Sequence, residues 1–442
     1  MVKLIGSFSR LKPARVLVIG DFMLDTYTTG HVQRISPEAP VPILHVKETQ
    51  HLPGGAGNVA LNLKALGATV VCAGRIGPDL EGKRLKKLLE AEGVDTSGLF
   101  VQKETRTPVK NRLIAGAQQL MRVDDETLML IDTAVEVSVL SFIQTHLDSI
   151  EVIAVSDYGK GFLSKTLLSA LIKEGNKREI PILVDPKGDD FLRYKKATMI
   201  KPNLKEALEA AKLGREASLD EVGQELVRKT ETKHIMVTRS EAGISLFNQK
   251  KERLDFPVKS REVTDVTGAG DTVLAMTAMA YAAELDLREG LHLANVAAGI
   301  AIERLGCVRV SLSDIAERLL ETDVVNKVFD EHHLFALEQA LKNKKLTILG
   351  LSTDEDLSAS LFAKIQTLAS SEMNEKLMIY LTDEEPDEHF VALLSSLHEV
   401  DYIVLKSDSL SSLCEKIHPA FVYNLDGEKL QLVDHHHDLV NV

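Results

Sequence analysis

Thr267-Gly268-Ala269-Gly270-Asp271 combines two glycines, a small residue and a carboxylate at the point where a strand end gives way to a long apolar helix. Gly268 and Gly270 flank Ala269, so backbone can approach a ligand closely. The unpaired N–H groups of a helix start form an anion site, suited to a phosphoryl group in transfer. Asp271, in the first turn, is placed to take a proton from an attacking hydroxyl while the amides hold the phosphate. The same carboxylate would also serve as a simple helix cap. A second glycine-rich stretch, Pro53-Gly54-Gly55-Ala56-Gly57-Asn58, opens a helix running to Leu66. Asn58 offers both a donor and an acceptor there, although small residues at that point also suit helix packing.

Two carboxylates, Asp21 and Asp25, follow the apolar run Ala14 to Gly20, which reads as a buried parallel strand. Open α/β sheets hold ligands just past such strand tips. Carboxylates there accept sugar hydroxyls, or form a turn. Lys110, Arg112 and Arg122 lie on alternating segments and would carry cations toward an anionic substrate, or into solvent. Further tips follow. Asp157-Tyr158-Gly159-Lys160-Gly161 succeeds the strand Val152 to Ser156, and Asp185-Pro186-Lys187 succeeds Ile182 to Val184. Met199 to Glu206 reads as a strand entering a helix. Asn203 and Glu206 have the spacing of a capping box, and Glu206 is also a candidate for hydrated Mg²⁺. His234 to Thr238 ends in a loop to Gly243 that could meet a nucleotide. The small-residue helix Leu291 to Leu305, which carries Asn295, allows close approach of a flat ring or of another helix.

The elements that must position these residues read as an α/β architecture, a mostly parallel central sheet flanked by helices. Residues 26–52 hold Pro37, Pro40 and Pro42 and alternate in polarity, as do residues 99–123. Prolines at that density exclude helix and suit edge strands, so both segments are assigned to a small separate sheet acting as a lid. The first domain is set at residues 1–325. A second, smaller α/β domain is set at 340–442, with strands at Lys345 to Leu351, Leu377 to Leu381 and Val400 to Leu405. His435-His436-His437 near the end reads as an incidental polar tail.

The 442 residues carry a net charge of -13, which argues against a nucleic-acid binder. Three dispersed cysteines, Cys72, Cys307 and Cys414, form no disulfide framework or CxxC pair. No signal segment and no run of 18 apolar residues occurs, so a soluble cytoplasmic protein without membrane partners is expected.

Residues 10–320 resemble the ribokinase-like (PfkB) carbohydrate kinases through PGGAGN at 53–58, the Asn203 to Glu206 element and TGAGD at 267–271, in that order. Within that family, several segments are similar to the heptose-7-phosphate kinase branch. They are Asp21 to Asp25, Arg34 to Pro42, Gln118 to Asp124, Val184 to Gly188 and Ala294 to Gly299. The resemblance implies phosphorylation of the anomeric hydroxyl of D-glycero-β-D-manno-heptose 7-phosphate by Mg-ATP, on the route to ADP-heptose. It implies Asp271 as base, with Gly268, Ala269 and Gly270 around the phosphoryl group. It places Asp21, Asp25, Gly54, Gly55 and Asn58 on the sugar; a phosphorylated substrate also needs cations, and Lys110, Arg122, Lys160 and Lys187 are the candidates. ATP would meet Asn203, Lys187, Thr238, Gly243 and Asn295, with Glu206 at the metal. A homodimer through the lid is implied as well. The branch is commonly bifunctional, with a nucleotidyltransferase domain bearing HxGH. No HxGH occurs in 326–442, so the tail is taken as a degenerate domain of that type. A kinase for another sugar and a non-catalytic regulatory protein are the alternatives.

Overall fold

The computed structural model describes residues 4–116, 118–214, 216–258, 263–304, 306–322, 327–330, 333–352, 358–370, 376–406, 409–426 and 429–433. His435 to His437 lie outside them. Two compact units are present: Leu11–Ser311, and Met1–Arg10 together with Leu312–Val442. The division therefore falls earlier than the expected 325–340. The helix Leu312–Thr322 belongs to the second unit.

In the first unit, nine strands form one sheet. Their order is 253–256, 244–248, 234–238, 199–200, 182–185, 152–156, 15–20, 69–76 and 95–101. Every pairing from 95–101 through 234–238 is parallel, and the last two pairings, 234–238 with 244–248 and 244–248 with 253–256, are antiparallel. Apolar runs such as Arg15–Gly20 (RVLVIG) and Val152–Ser156 are buried along nearly their whole length, as strands covered on both faces must be. The chain starts at the centre, at 15–20, runs out to 95–101 and then restarts at 152–156 on the other side. The order of connection thus reverses between 15–20 and 152–156, where such sheets open a crevice. The tips of five parallel strands point there: Gly20, Ser156, Asp185, Ile200 and Thr238.

The helices Ala269–Ala282 and Leu287–Ile302 lie side by side. A Cβ at Gly290 would sit 2.6 Å from the Cβ of Ala280, so this glycine serves helix packing, whereas a Cβ at Gly299 would meet nothing within 4 Å.

The lid is a four-stranded sheet in the order Pro42–Gly55, Phe22–Ile35, Val109–Ala115, Gln118–Asp125. It begins later in its second half than the expected residue 99. Asp95–Val101 pairs in parallel with Thr69–Ile76 as the edge of the main sheet, and its alternating exposure is that of an edge strand. On the lid, Ile35 and Val41 near the connection of its first two strands, Val46 on one outer strand, and Met121 and Val123 on the other are exposed.

The second unit is a six-stranded sheet in the order 328–329, 402–404, 376–381, 346–351, 421–426, 429–432, parallel except for the last strand. Its three expected strands are present. The short helix Leu4–Ser9 belongs to it, with the Phe8 and Phe335 rings 5.7 Å apart.

Gly20 sits where the two central strands of the first unit approach most closely: a Cβ there would lie 2.0 Å from the carbonyl oxygen of Ser156. Gly20→Ala is expected to lower the stability of this unit by about 2 kcal/mol or more, read as a lower urea midpoint by circular dichroism.

Candidate active site

The helix Ala269–Ala282 begins directly after Gly268, whose φ of +80° turns the chain into the left-handed region. No side chain caps this start, and the amides of Gly270 and Asp271 have no partner among the described residues. A Cβ at Gly268 would lie 3.0 Å from Asn58 Nδ2 and 3.4 Å from Cys307 Sγ, so only glycine fits without displacement. The result is an open cluster of donors at the positive end of a helix dipole.

Asp271 does not cap its own helix. Its Oδ2 accepts from Asn58 Nδ2 at 2.7 Å, and the Tyr158 hydroxyl donates to Oδ1 at 3.2 Å and to Oδ2 at 3.5 Å. Asn58 is itself oriented by Asn62, whose Nδ2 donates to the Asn58 carbonyl at 3.0 Å and to Oδ1 at 3.3 Å. Asn62 Oδ1 in turn accepts from Thr272 Oγ1 at 3.2 Å, closing a link between the two glycine-led helices. Burial pushes the Asp271 carboxyl up to about 7, and the nearby Asp185 adds to the rise. The Asn58 bond, Lys201 and the Tyr158 bond oppose it. A carboxylate poised near neutrality is matched to proton abstraction at cellular pH.

Beside this base lies a buried cation that inspection of the sequence did not single out. Lys201 Nζ sits 2.9 Å from Asp185 Oδ2, with its side chain only 4% exposed. A Cβ at Gly270 would lie 3.3 Å from that ammonium. Lys201 therefore borders the open amides and brings a full positive charge to the anion site. The signal in the sequence was a lysine ending an apolar strand, Met199-Ile200-Lys201, where burial demands a partner.

On the sugar side, Asp25 and Gly54 come together. A Cβ at Gly54 would fall 2.0 Å from Asp25 Oδ2, and Asp25 Oδ1 accepts from Arg112 Nη1 at 2.6 Å. Gly55, at φ +57°, precedes the helix Ala56–Ala65 that carries Asn58. Asp21 is 3% exposed, and its Oδ2 accepts the backbone N–H groups of Tyr158 at 2.9 Å and Lys160 at 3.0 Å. Its Oδ2 anchors the 157–161 loop.

The expected phosphate-binding cations differ in how free they are. Lys160 Nζ is paired with Glu126 at 2.6 Å, and Arg122, half exposed, is paired with Asp124 at 2.7 Å. Lys110 Nζ has no carboxylate within 4.0 Å among the described residues and lies over the Tyr158 ring, 5.1 Å from its centroid. Burial, with Lys160 and Arg122 nearby, lowers the Lys110 ammonium from its ordinary range even though Asp25 opposes this.

On the far side of the strand tips, Asn203, Leu204, Lys205, Thr238, Arg239 and Ser240 line an open cleft of about 700 Å³. Glu206 closes the capping box, accepting Asn203 N–H at 3.1 Å while its own N–H donates to Asn203 Oδ1 at 2.9 Å. Glu206 Oε1 also pairs with Lys187 Nζ at 3.0 Å. Lys187 is thus joined to the candidate metal residue. Gly243 and Asn295 act on the backbone: a Cβ at Gly243 would lie 2.0 Å from the Phe256 carbonyl oxygen, and Asn295 Nδ2 donates to the carbonyls of Phe256 at 3.0 Å and Pro257 at 2.9 Å. The donor expected to face adenine is engaged in holding a strand end.

A donor-lined helix start, a carboxylate tuned by burial and a two-sided crevice are the parts of a phosphoryl-transfer site. Residues 13–315 match the model of the pfkB family of carbohydrate kinases. The chain belongs to this family. The Bifunctional protein HldE of Trichlorobacter lovleyi is 37% identical over 431 residues, covering 90% of this chain and 84% of that protein. The protein of the same title from Geotalea uraniireducens is 43% identical over 310 residues, 70% of this chain and 63% of its own length. Ribokinase from Arabidopsis thaliana, solved with ribose and ATP, shares the fold at 18% identity with a TM-score of 0.55, over 70% of this chain and 99% of that one.

A base at Asp271 would have to be ionised to work, so turnover is expected to fall as pH drops through its midpoint near 7. The sign for stability is opposite. A carboxyl raised above its ordinary 3.8 costs stability fully above the folded midpoint, and progressively less as pH falls toward 3.8. Asp271→Asn is expected to abolish turnover yet raise the thermal midpoint at pH 8, with the gain shrinking toward pH 5. Kinetics and differential scanning calorimetry across that range check both.

Proposed function

We propose that this kinase transfers the terminal phosphoryl group of ATP to the anomeric hydroxyl of D-glycero-β-D-manno-heptose 7-phosphate. The product is the 1,7-bisphosphate, on the route to ADP-heptose and the lipopolysaccharide inner core. The identity to proteins titled HldE over most of the chain supports the assignment. The observation that carries a phosphorylated acceptor is Lys110, a half-buried ammonium without a carboxylate partner among the described residues, on the sugar side of the base.

Asp25, with Gly54 behind it, holds sugar hydroxyls while Arg112 keeps the carboxylate ionised. Asp271 accepts the proton of the anomeric hydroxyl as that oxygen attacks the terminal phosphorus. The amides of Gly270 and Asp271, with Lys201, receive the charge on the transferring group. A positioned base contributes about 10²–10⁴ in rate, and one aligned donor contributes about 10²–10³.

ATP lies along the Asn203–Ser240 cleft with its phosphates toward the helix start. The residues there fit hydrated Mg²⁺. Glu206 and Asp185 supply acidic oxygens, with Lys187 and Lys201 beside them; burial, and to a lesser degree Glu206, raises the Asp185 carboxyl. When bound, the ion neutralises phosphate oxygens. The lid excludes water as a competing acceptor, and its exposed Ile35, Val41, Val46 and Met121 support a homodimer across this sheet. No described helix is long and apolar enough to cross a membrane, and a cytoplasmic enzyme with access to ATP is proposed. The second unit is a nucleotidyltransferase-like domain without adenylyl transfer, since its residues hold no HxGH.

The purified chain is expected to convert the heptose 7-phosphate with Mg-ATP to an anomeric phosphate visible by ³¹P NMR. Unphosphorylated sugars and hexose 6-phosphates should turn over poorly. A panel in which ribose or fructose is preferred would refute the substrate. Lys110→Ala should raise KM for the sugar phosphate about tenfold, the order of a lost charged contact, and leave KM for ATP unchanged. Added heptose 1-phosphate and ATP should yield no ADP-heptose, and its appearance by mass spectrometry would show the second unit to be active.

A further inference from the structure

We infer that Tyr158 is a positioning residue with two separable jobs: its hydroxyl orients the Asp271 carboxylate, and its ring face seats Lys110. The inference rests on the functional assignment above only for what Lys110 binds. Tyr158 lies at the strand tip after Val152–Ser156, in the loop whose amides Asp21 anchors. Its hydroxyl is 3.2 Å from Asp271 Oδ1, the oxygen that Asn58 leaves free. Its ring lies 5.1 Å from Lys110 Nζ, on a lid strand. One side chain therefore touches both the group that removes the proton and the cation awaiting the distal phosphate.

The hydroxyl is a durable donor. Burial, and then the Asp271 and Asp185 charges, hold the phenol well above its ordinary range, so it keeps its proton wherever the base is ionised. The other groups facing Asp271 are Asn58 from the helix Ala56–Ala65, Asp185 and Lys201 from the neighbouring strand tips, and Cys307 from the turn after Leu287–Ile302. Among them only Asn58 and Tyr158 donate a hydrogen bond to the carboxylate. Two donors from different elements fix its plane, where one would leave it free to pivot.

Tyr158→Phe and Tyr158→Leu separate the jobs. Phenylalanine keeps an aromatic face for Lys110 and removes the hydroxyl; leucine removes both. With Phe, the acid limb of kcat is expected to move up by about half a pH unit, the equivalent of a modest hydrogen bond. KM for the sugar phosphate should stay within about twofold, because the ring's cation contact survives. With Leu, the same limb shift should come with a KM rise of about three- to tenfold. KM for ATP should not change in either variant.

Resting protein gives a readout that needs no substrate. In ¹³C-Asp protein, the Asp271 signal, assigned by its loss in Asp271→Asn, should titrate at higher pH in both variants. In ¹³C-Lys protein, the Lys110 signal, assigned by its loss in Lys110→Arg, should move with Leu and hold with Phe. Should the wild type ignore the heptose phosphate while these resonances behave as stated, the substrate is wrong and the role of Tyr158 stands. An unshifted Asp271 titration in Tyr158→Phe overturns the hydroxyl's role, and an unmoved Lys110 signal in Tyr158→Leu overturns the ring's.

Discussion

A carboxylate kept out of water is the constraint around which the first unit is arranged. Burial is the largest influence raising the Asp271 carboxyl. Its ionisation near neutral pH depends on donors brought from distant points of the chain. Asn58 comes from the first glycine-led helix and Tyr158 from the central strand tip, while Lys201 supplies positive charge from a third position. None of these can be in place until the parallel sheet has aligned its strand ends, so fold and reactivity are one problem. Behind them lie the Asn62–Thr272 link and the hold of Asp21 on the loop amides. They make the arrangement stiff.

Much of this was legible in the chain itself. The strands at 15–20, 152–156 and 234–238 and the helix after Gly268 follow from continuous apolar runs ending at glycine or polar residues. Such runs have one stable environment, a sheet covered on both faces. Asp271, Asn58, Gly54 and Asp25 could be named because glycine-led helix starts and strand tips are where backbone donors are left open. The family resemblance narrowed their roles. Spacing could not say which of two acidic residues past a strand would point outward. Asp21 and Asp25 lie four apart, and only the pairing of Phe22–Ile35 with Pro42–Gly55 turns Asp25 toward Gly54 and leaves Asp21 beneath the loop. Lys201 and Tyr158 were passed over for a related reason: their importance lies in contacts with partners dozens to more than a hundred residues away in some cases, and periodicity carries no trace of those. Residues 99–108 were misplaced because an edge strand of a large sheet alternates in polarity much as a lid strand does.

The second unit shows the opposite balance. Its strands were apparent from their apolar runs, and its sheet is well formed around Leu349, Ile379 and Ile403. No HxGH occurs in its sequence, so its fold was legible from apolar runs while its role was not.

The helix Leu4–Ser9 buries Ile5 and Phe8 within the unit otherwise built from residue 312 onward. The kinase unit is therefore topologically an insertion, nested between a short leading segment of the other unit and all the rest of it. During synthesis the nested body can finish folding while that leading segment still waits, its apolar side uncovered, for partners about three hundred residues downstream. Boundaries chosen to isolate the kinase should accordingly be drawn at both its ends, since keeping the first ten residues would carry along a greasy orphan.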